Sequence, residues 1–344
     1  MAQPKLNVEL APFFEVRTNS VVGNRPLPCD IYLVFSGKPL LFRQRGDVIS
    51  EDRLNRLVQH GLKQLLIPSD QRHLYLESLK HIVRDPSAGT EIKSKFIKES
   101  AFVHIHDLFT QQDLHPVVTE AKALIEDMVS FVTTDIDAVS SLMRLSAHDY
   151  YTYNHSVDVA VYSIVLARKI FGEDRSLLLM AGLSGLLHDI GKRRIDLALI
   201  NKSSKLTPEE WAEIRRHPQY GKEVLDEIGT IPQEPKEVVL QHHENYDGTG
   251  YPHSRKGDEI SKLARVVTIA DVFDALTTDR SYHKAIPPAE ALNTMFGMQP
   301  GKFDPQLFST FNKNFDKKPH LTLNKEFDPC SPVPPLLQKN NPKK

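Results

Sequence analysis

The sequence predicts a mainly α protein: an all-α C-terminal domain preceded by a small N-terminal α+β unit. Three observations predict this. From Tyr151 to Asn314 helix start signals recur, and no alternating strand run interrupts them. The most apolar segment, Leu177–Leu187, runs directly into a His188-Asp189 pair, as a buried helix carrying polar groups at its end would. Only before residue 85 do short apolar runs alternate with turn residues. With 344 residues the chain is long enough for two domains.

Within residues 1–85, the runs Ile31–Phe35 and Leu40–Phe42 flank Ser36-Gly37-Lys38-Pro39 and predict a hairpin. A helix follows, with Ser50 as its cap, Leu54, Leu57 and Val58 on one face, and Gly61 at its end. Gln64–Ile67 reads as a further strand stopped by Pro68, and a second helix from Ser69 carries Leu74, Leu79 and Ile82. Residues 86–145 are predicted helical throughout. Val118, Ala121, Ile125, Met128 and Val132 recur at spacings of three and four, an apolar stripe on one helix face. Such a stripe packs on the next domain or pairs two copies in a homodimer, and the pattern is compatible with both.

In residues 146–315, Thr207-Pro208-Glu209-Glu210 combines a capping residue, Pro at the first helical position and a Glu able to reach back to the cap. Pro235 and Pro287-Pro288 mark two more helix starts. Residues 316–344 hold six prolines and scattered lysines, and read as an unpacked tail.

A formal net charge of −1, with charged residues at 25%, excludes a broad electrostatic pull toward nucleic acid or a membrane surface. An anionic substrate must then be met by local positive charge or by metal. The two cysteines, Cys29 and Cys330, lie far apart and form no metal-ligand spacing, which fits a reducing compartment. Met1–Phe14 has no basic start followed by an apolar run, and Leu177–Leu187 is too short to span a bilayer. A soluble, cytoplasmic protein without a membrane span is the expectation.

The chemistry concentrates in a few positions. His242-His243 opens the loop Glu244-Asn245-Tyr246-Asp247-Gly248-Thr249-Gly250-Tyr251-Pro252. Adjacent histidines can turn ring nitrogens toward one metal, and Asp, Gly and Pro fix a tight loop beside them. His155 lies on an apolar helical segment with Val157, Ala160, Val161 and Ile164, where a satisfied core histidine is the plain alternative to a ligand. His217 precedes Pro218 at a helix interruption, where a surface role is the alternative. Asp271 falls inside the apolar helix Leu263–Leu276, where a carboxylate needs a positive partner: a metal, Arg265 or Arg280.

The ordered set His155, His188-Asp189, His217, His242-His243 and Asp271 resembles the ligand set of the HD-GYP family of cyclic di-GMP phosphodiesterases. The tripeptide Gly250-Tyr251-Pro252, the Lys192 after His188-Asp189-Ile190-Gly191, the segment Asp271–Thr277, Arg280 with Tyr282, and Gly301-Lys302-Phe303-Asp304-Pro305 also match. The resemblance covers about residues 145–315. It implies an HD-type helical bundle holding two divalent metals, with iron favoured and manganese as the alternative; the ligand types are also compatible with zinc. By similarity His155, His188, Asp189 and Asp271 would hold one ion, and His217, His242 and His243 the other, with Asp189 bridging. Some family members carry a Glu four residues before the first His and hold a third metal. Tyr151 stands there in this chain, so two metals are expected.

The implied activity is hydrolysis of cyclic di-GMP to pGpG, with GMP as a further product, in bacterial second-messenger signalling. Two ions roughly 3.5–4 Å apart activate a water and neutralise phosphate charge. His188, Asp189 and Lys192 are the candidate catalytic residues, Lys192 also being assigned to the phosphate or leaving oxygen. Arg280 offers a planar fork for phosphate or a guanine edge, with an ion pair as its alternative role. His283 stands where many relatives carry a basic residue, and it or Lys284 is the candidate for that phosphate contact. Arg193 and Arg194 read as surface charge or partner contacts. Asp247, Gly250, Tyr251 and Pro252 support the metal ligands, Asp247 either orienting His243 or capping the loop, and the loop is a candidate docking surface for signalling proteins. The residues 1–85 unit reads as sensory or partner-binding. Two other functions compete: a catalytically silent receptor for cyclic dinucleotides, and an HD hydrolase of another nucleotide.

Overall fold

The structure, a computed structural model, describes residues 13–135, 137–146, 154–200, 202, 204–278, 284–299 and 301–315. It divides into two compact units, Met1–Val103 and His104–Lys344, and the boundary falls inside a continuous helix, Thr90–Thr110.

The first unit is built on a four-stranded antiparallel sheet. Its strands are β1 (Phe13–Arg17), β2 (Ile31–Phe35), β3 (Lys38–Arg43) and β4 (Gln64–Pro68), in the spatial order β1-β4-β2-β3. The expected hairpin is present, but its turn is shorter. Ser36 and Gly37 alone close it, both at positive φ (50° and 79°), which is the pairing a two-residue hairpin demands. Lys38 and Pro39 therefore enter the strand. Pro39 is tolerated because β3 is an edge, where a missing N–H breaks no ladder.

Strand β1 was not legible in the sequence. It exists because β4, with Leu65, Leu66 and Ile67 all buried, sits mid-sheet and needs a partner on each side. Helix α1 (Glu51–Gln59) starts as expected, the Ser50 hydroxyl accepting from the Arg53 N–H. Helix α2 (Arg72–Arg84) follows a 3-10 turn at Ser69–Gln71 and buries Tyr75, Leu79 and Ile82, whereas Leu74 stays half exposed. Helix α3 is Thr90–Thr110. In its first half Glu99 is buried and meets Arg17 at 2.5 Å.

The second unit is helical among its described residues. The helices that position the site are α4 (His115–Thr134), α5 (Ala138–Ser146), α6 (Asn154–Phe171), α7 (Arg175–Leu187), α8 (Leu197–Ile200), α9 (Pro208–Ile214), α10 (His217–Ile228), α11 (Gln233–Gln241) and α12 (Lys262–Thr277). Helices α13 (Pro288–Gly297) and α14 (Pro305–Phe315) close it. The α4 stripe Val118, Ala121, Ile125, Met128 and Val132 is buried inside this unit, with α4 packed on α6 and α7. Helix α9 carries the full reciprocal cap between Thr207 and Glu210. Helix α11 begins two residues before Pro235, with Pro232 at its cap.

Helices α6, α7 and α12 form the centre of the unit. They touch closely because Gly185 leaves room for the Ala160 backbone; a Cβ there would lie 2.8 Å from the Ala160 Cα. The 3-10 turn Ile190–Arg194 after α7 crosses the start of α10 more tightly still. A Cβ on Gly191 would lie 1.9 Å from the His217 carbonyl oxygen and 2.4 Å from the Gly221 nitrogen. Among the described residues no helix is long and apolar enough to cross a membrane. The expected tail, residues 316–344, lies outside the described residues, as do Tyr151, Arg280 and His283.

This crossing makes Gly191 a sharp test of the packing. Gly191→Ala forces backbone against backbone, a worse clash than the 1–3 kcal/mol typical of core overpacking. Denaturant unfolding should show a lower midpoint and a loss of at least about 2 kcal/mol of stability, and an unchanged midpoint would mean that the turn and α10 do not cross this closely.

Candidate metal centre

Three of the histidines are placed by the same local device. A helix leaves its last four carbonyls without intrahelical donors. The chain uses imidazole N–H groups to meet them. His188 caps α7 and its Nδ1 donates to the Gly185 carbonyl at 2.8 Å. His217 follows α9 and donates from Nδ1 to the Ile214 carbonyl at 2.9 Å. His242 caps α11 and donates from Nδ1 to the Val239 carbonyl at 2.7 Å. In each case the residue accepting the bond lies three positions upstream. With the proton committed to Nδ1, each Nε2 presents a lone pair to the interior. His155, on α6, is held differently: its Nδ1 lies 2.6 Å from Oδ2 of Asp274, a fully buried carboxylate one turn after Asp271 on α12. The Thr278 hydroxyl donates to the other Asp274 oxygen at 3.0 Å.

The ring nitrogens so aimed form two groups. His155, His188 and Asp271 make one and His217, His242 and His243 the other, while His188, Asp189 and His242 straddle them. His155 Nε2 lies 3.2 Å from Asp271 Oδ1. Asp189 sits between the groups with its two oxygens divided. Oδ1 lies 3.4 Å from His217 Nε2, and Oδ2 lies 3.4 Å from His188 Nε2 and 3.9 Å from His155 Nε2. A carboxylate so divided can serve both groups at once.

The donor set fits metal ions on electrostatic grounds. The His217 and His242 Nε2 atoms lie 3.2 Å apart, two lone pairs facing each other. His188 Nε2 is buried without a hydrogen-bond partner among the described residues, aimed at two carboxylates. Acceptors converging on acceptors require positive charge between them, from protons or from cations. Burial argues against protons on the histidines: it is the main cause holding His217 down at about 4, and it also holds His242 and His243 well below the usual imidazole value. Burial alone would raise Asp189, but the Lys192 ammonium at 2.5 Å, with His188 second, more than offsets it and holds the carboxyl well below its ordinary value. Asp271 is likewise held low against burial, first by its contact with His155. Neutral imidazoles beside ionised carboxylates are the form in which both residue types bind metal.

The site opens where its members are part-exposed. His155, Lys192 and Asp271 keep 17%, 16% and 14% of their side chains accessible, against 1% for His188. Lys192 reaches the pocket from a 3-10 turn and grips Asp189. Its neighbours are not simple surface charges. Arg193 donates to the Leu108 and Gln111 carbonyls at the end of α3, and Arg194 pairs with Glu223 and Glu227 on α10.

Asp247 caps the loop, its Oδ1 accepting from the Thr249 N–H at 2.9 Å and hydroxyl at 2.7 Å. Gly250 has no room for a Cβ, which would lie 2.2 Å from the Asn245 nitrogen. Tyr251 lies with its ring 4.8 Å from the His243 ring at 25°, a stacked arrangement, and Tyr251-Pro252 is cis. Tyr246 and Asp247 N–H groups donate to the Lys302 and Gly301 carbonyls, joining the loop to the Gly301–Pro305 segment. Arg265 is committed elsewhere, to Asp304 at 2.8 Å and Asp258 at 3.0 Å, so it is not the partner of Asp271. Lys284 is exposed, and Arg280 and His283 are outside the described residues. Asp274 was missed as a functional residue; its spacing of three from Asp271 puts it on the same helix face, a signal available in the sequence.

The HD domain family matches residues 144–307. The cyclic di-GMP phosphodiesterase PA4108 of Pseudomonas aeruginosa is 43% identical over 193 residues, 56% of this chain and 46% of that protein. A 3'3'-cGAMP-specific phosphodiesterase, number 3 of Vibrio cholerae, is 35% identical over 175 residues, 51% of this chain and 38% of that protein. The chain thus spans less than half the length of these curated relatives. Among solved structures Bd1817, an HDG"Y"P protein of Bdellovibrio bacteriovorus, superposes with a TM-score of 0.70, covering 88% of this chain and 99% of that one. At 24% identity it supports the fold alone.

A neutral histidine centre makes stability depend on pH in a definite sense. Between about 6.5 and about 4 the unfolded chain binds a proton that folded His217 refuses. The unfolded state therefore binds more protons in this window, and stability falls as pH drops, by about 1.4 kcal/mol per pH unit for each such histidine. His242 and His243 act in the same direction. Thermal melts of metal-free protein should show a lower midpoint at pH 5 than at pH 7.5. An equal or higher midpoint at pH 5 would sink the neutral assignment.

Proposed function

We propose that residues 144–307, which match the HD domain family, form an HD domain of the HD-GYP type, and that the protein is a metal-dependent phosphodiesterase that hydrolyses cyclic di-GMP to pGpG, with GMP as a further product to test. The observation that carries this reading is the division of Asp189, one oxygen toward each group of histidines, at the centre of a seven-residue donor set: His155, His188, Asp189, His217, His242, His243 and Asp271. Two divalent ions bound there, iron or manganese, would supply an activated water and charge neutralisation at the phosphate.

The chain's own residues do the rest. His155, His188 and Asp271 would hold one ion and His217, His242 and His243 the other, with Asp189 shared between them. The neutral imidazoles of His217, His242 and His243 add no negative charge, which would leave the ions' charge available to an anionic substrate. Lys192 sits at the open side with its ammonium on Asp189. In this reading it transfers part of that bond to a phosphate oxygen or the departing oxygen as substrate enters, and Arg280 with His283 or Lys284 extends the contact to the second phosphate. Tyr151 at the position of a third-metal carboxylate sets the expected count at two ions. A relative named for 3'3'-cGAMP makes that cyclic dinucleotide the second substrate to test.

The test is direct. Protein loaded anaerobically with Fe(II) or Mn(II) is given cyclic di-GMP or 3'3'-cGAMP, and products are followed by chromatography. Linear pGpG should appear, and His188→Ala combined with Asp189→Ala should lower turnover at least about a thousandfold. Tight nucleotide binding without turnover would identify a receptor instead. Metal analysis should give two ions per chain, and a value of three would overturn the reading of Tyr151.

A further inference from the structure

Of the five histidines in the donor set, four are oriented by a hydrogen bond from Nδ1, as described above. His243 makes no side-chain hydrogen bond among the described residues. Its ring lies instead against Tyr251, whose ring is buried, and the Arg215 guanidinium carbon lies 4.4 Å from the Tyr251 ring centre. Arg215 makes no side-chain hydrogen bond or ion pair among the described residues, so its contact with this ring is the interaction the structure gives it. The His242 ring also lies 4.2 Å from His243, but tilted at 42°, and is itself fixed by Val239.

We propose that Arg215 and Tyr251 are positioning residues for His243: a guanidinium–phenol–imidazole stack holds its ring toward the metal group where a hydrogen bond holds each of the others. The physical requirement is clear. An imidazole without an Nδ1 partner can rotate about χ2 and change tautomer, and either change removes its lone pair from the centre. A stacked aromatic face restricts that rotation at little entropic cost, since the phenol ring has only two side-chain torsions. The cation over the phenol holds the ring in turn, with a strength between exposed and desolvated cation–π contacts. Backbone contacts fix the base of the stack: the Tyr251 N–H donates to the His243 carbonyl at 3.1 Å, and the buried Glu244 carboxylate accepts from the His253 and Arg255 N–H groups. Tyr251 thus acts on the ligand and not on the substrate. The proposal rests on the metal-site reading but not on the identity of the nucleotide.

Metal-free full-length chain titrated with Mn(II), followed by calorimetry and by the Mn(II) EPR signal, tests it without reference to turnover. Two ions should bind to the native chain. Tyr251→Phe keeps the ring face and should bind both with near-native affinity. Tyr251→Leu should weaken one of the two ions by about 10–100-fold, the range for outer partners of metal ligands, and leave the other. Arg215→Met should weaken the same ion between about 2- and 30-fold, the span of cation–π contacts. Thermal melts of the metal-free variants separate positioning from folding, and should Tyr251→Leu fail to fold, Arg215→Met carries the test. Native affinity for both ions in Arg215→Met, with a raised KM for cyclic dinucleotide, would overturn the proposal by making Arg215 a substrate contact. Equal damage from Tyr251→Phe and Tyr251→Leu would overturn it by assigning the effect to the hydroxyl.

Discussion

The centre depends on one constraint: a helix end must find donors for its last carbonyls, and here three helix ends find them in imidazole rings. Gly185, Ile214 and Val239 each receive an Nδ1–H bond from the histidine three residues on. A net hydrogen bond of this kind contributes on the order of 1 kcal/mol, and leaving the buried carbonyl unmet would cost more. The larger consequence is geometric. Each bond fixes the tautomer and sends the opposite lone pair to the interior, so the need that completes a helix also prepares a ligand.

Charge is managed by a second balance. Two carboxylates, Asp189 and Asp271, are buried deeply enough to be penalised, yet both stay ionised. An isolated buried charge costs several kcal/mol even after relaxation, so each needs a partner. Lys192 serves Asp189 and His155 serves Asp271, while Asp274 takes the far nitrogen of His155. Beside these pairs, burial keeps His217, His242 and His243 neutral. The site is thus rich in donors and poor in protons.

The turn after Asp189 joins this chemistry to the framework. Lys192, Arg193 and Arg194 are consecutive, yet the 3-10 geometry sends each to a different place: the carboxylate, the end of α3, and α10. Gly191 lets the turn pass against α10 at backbone contact. A shift of this turn would therefore move Asp189, the residue that the two histidine groups share.

By itself the sequence determined the order of the donors, the apolar helix that ends in His188-Asp189, the Thr207 and Ser50 caps, and the carboxylate inside Leu263–Leu276. These are local or periodic properties, and chain neighbours within one helical turn express them. Only the tertiary structure decided how the donors are used. Asp274 meets His155 across 119 positions, Arg215 meets Tyr251, and Arg265, a sequence candidate for Asp271, is taken by Asp304. The extra strand β1 and the shortened hairpin turn have the same origin, since a strand's place in a sheet is set by partners distant in the chain. Periodicity reports which face of a helix is buried. It carries no information on which buried group another helix will bring within 3 Å, and at that distance orientation, charge and tautomer are settled.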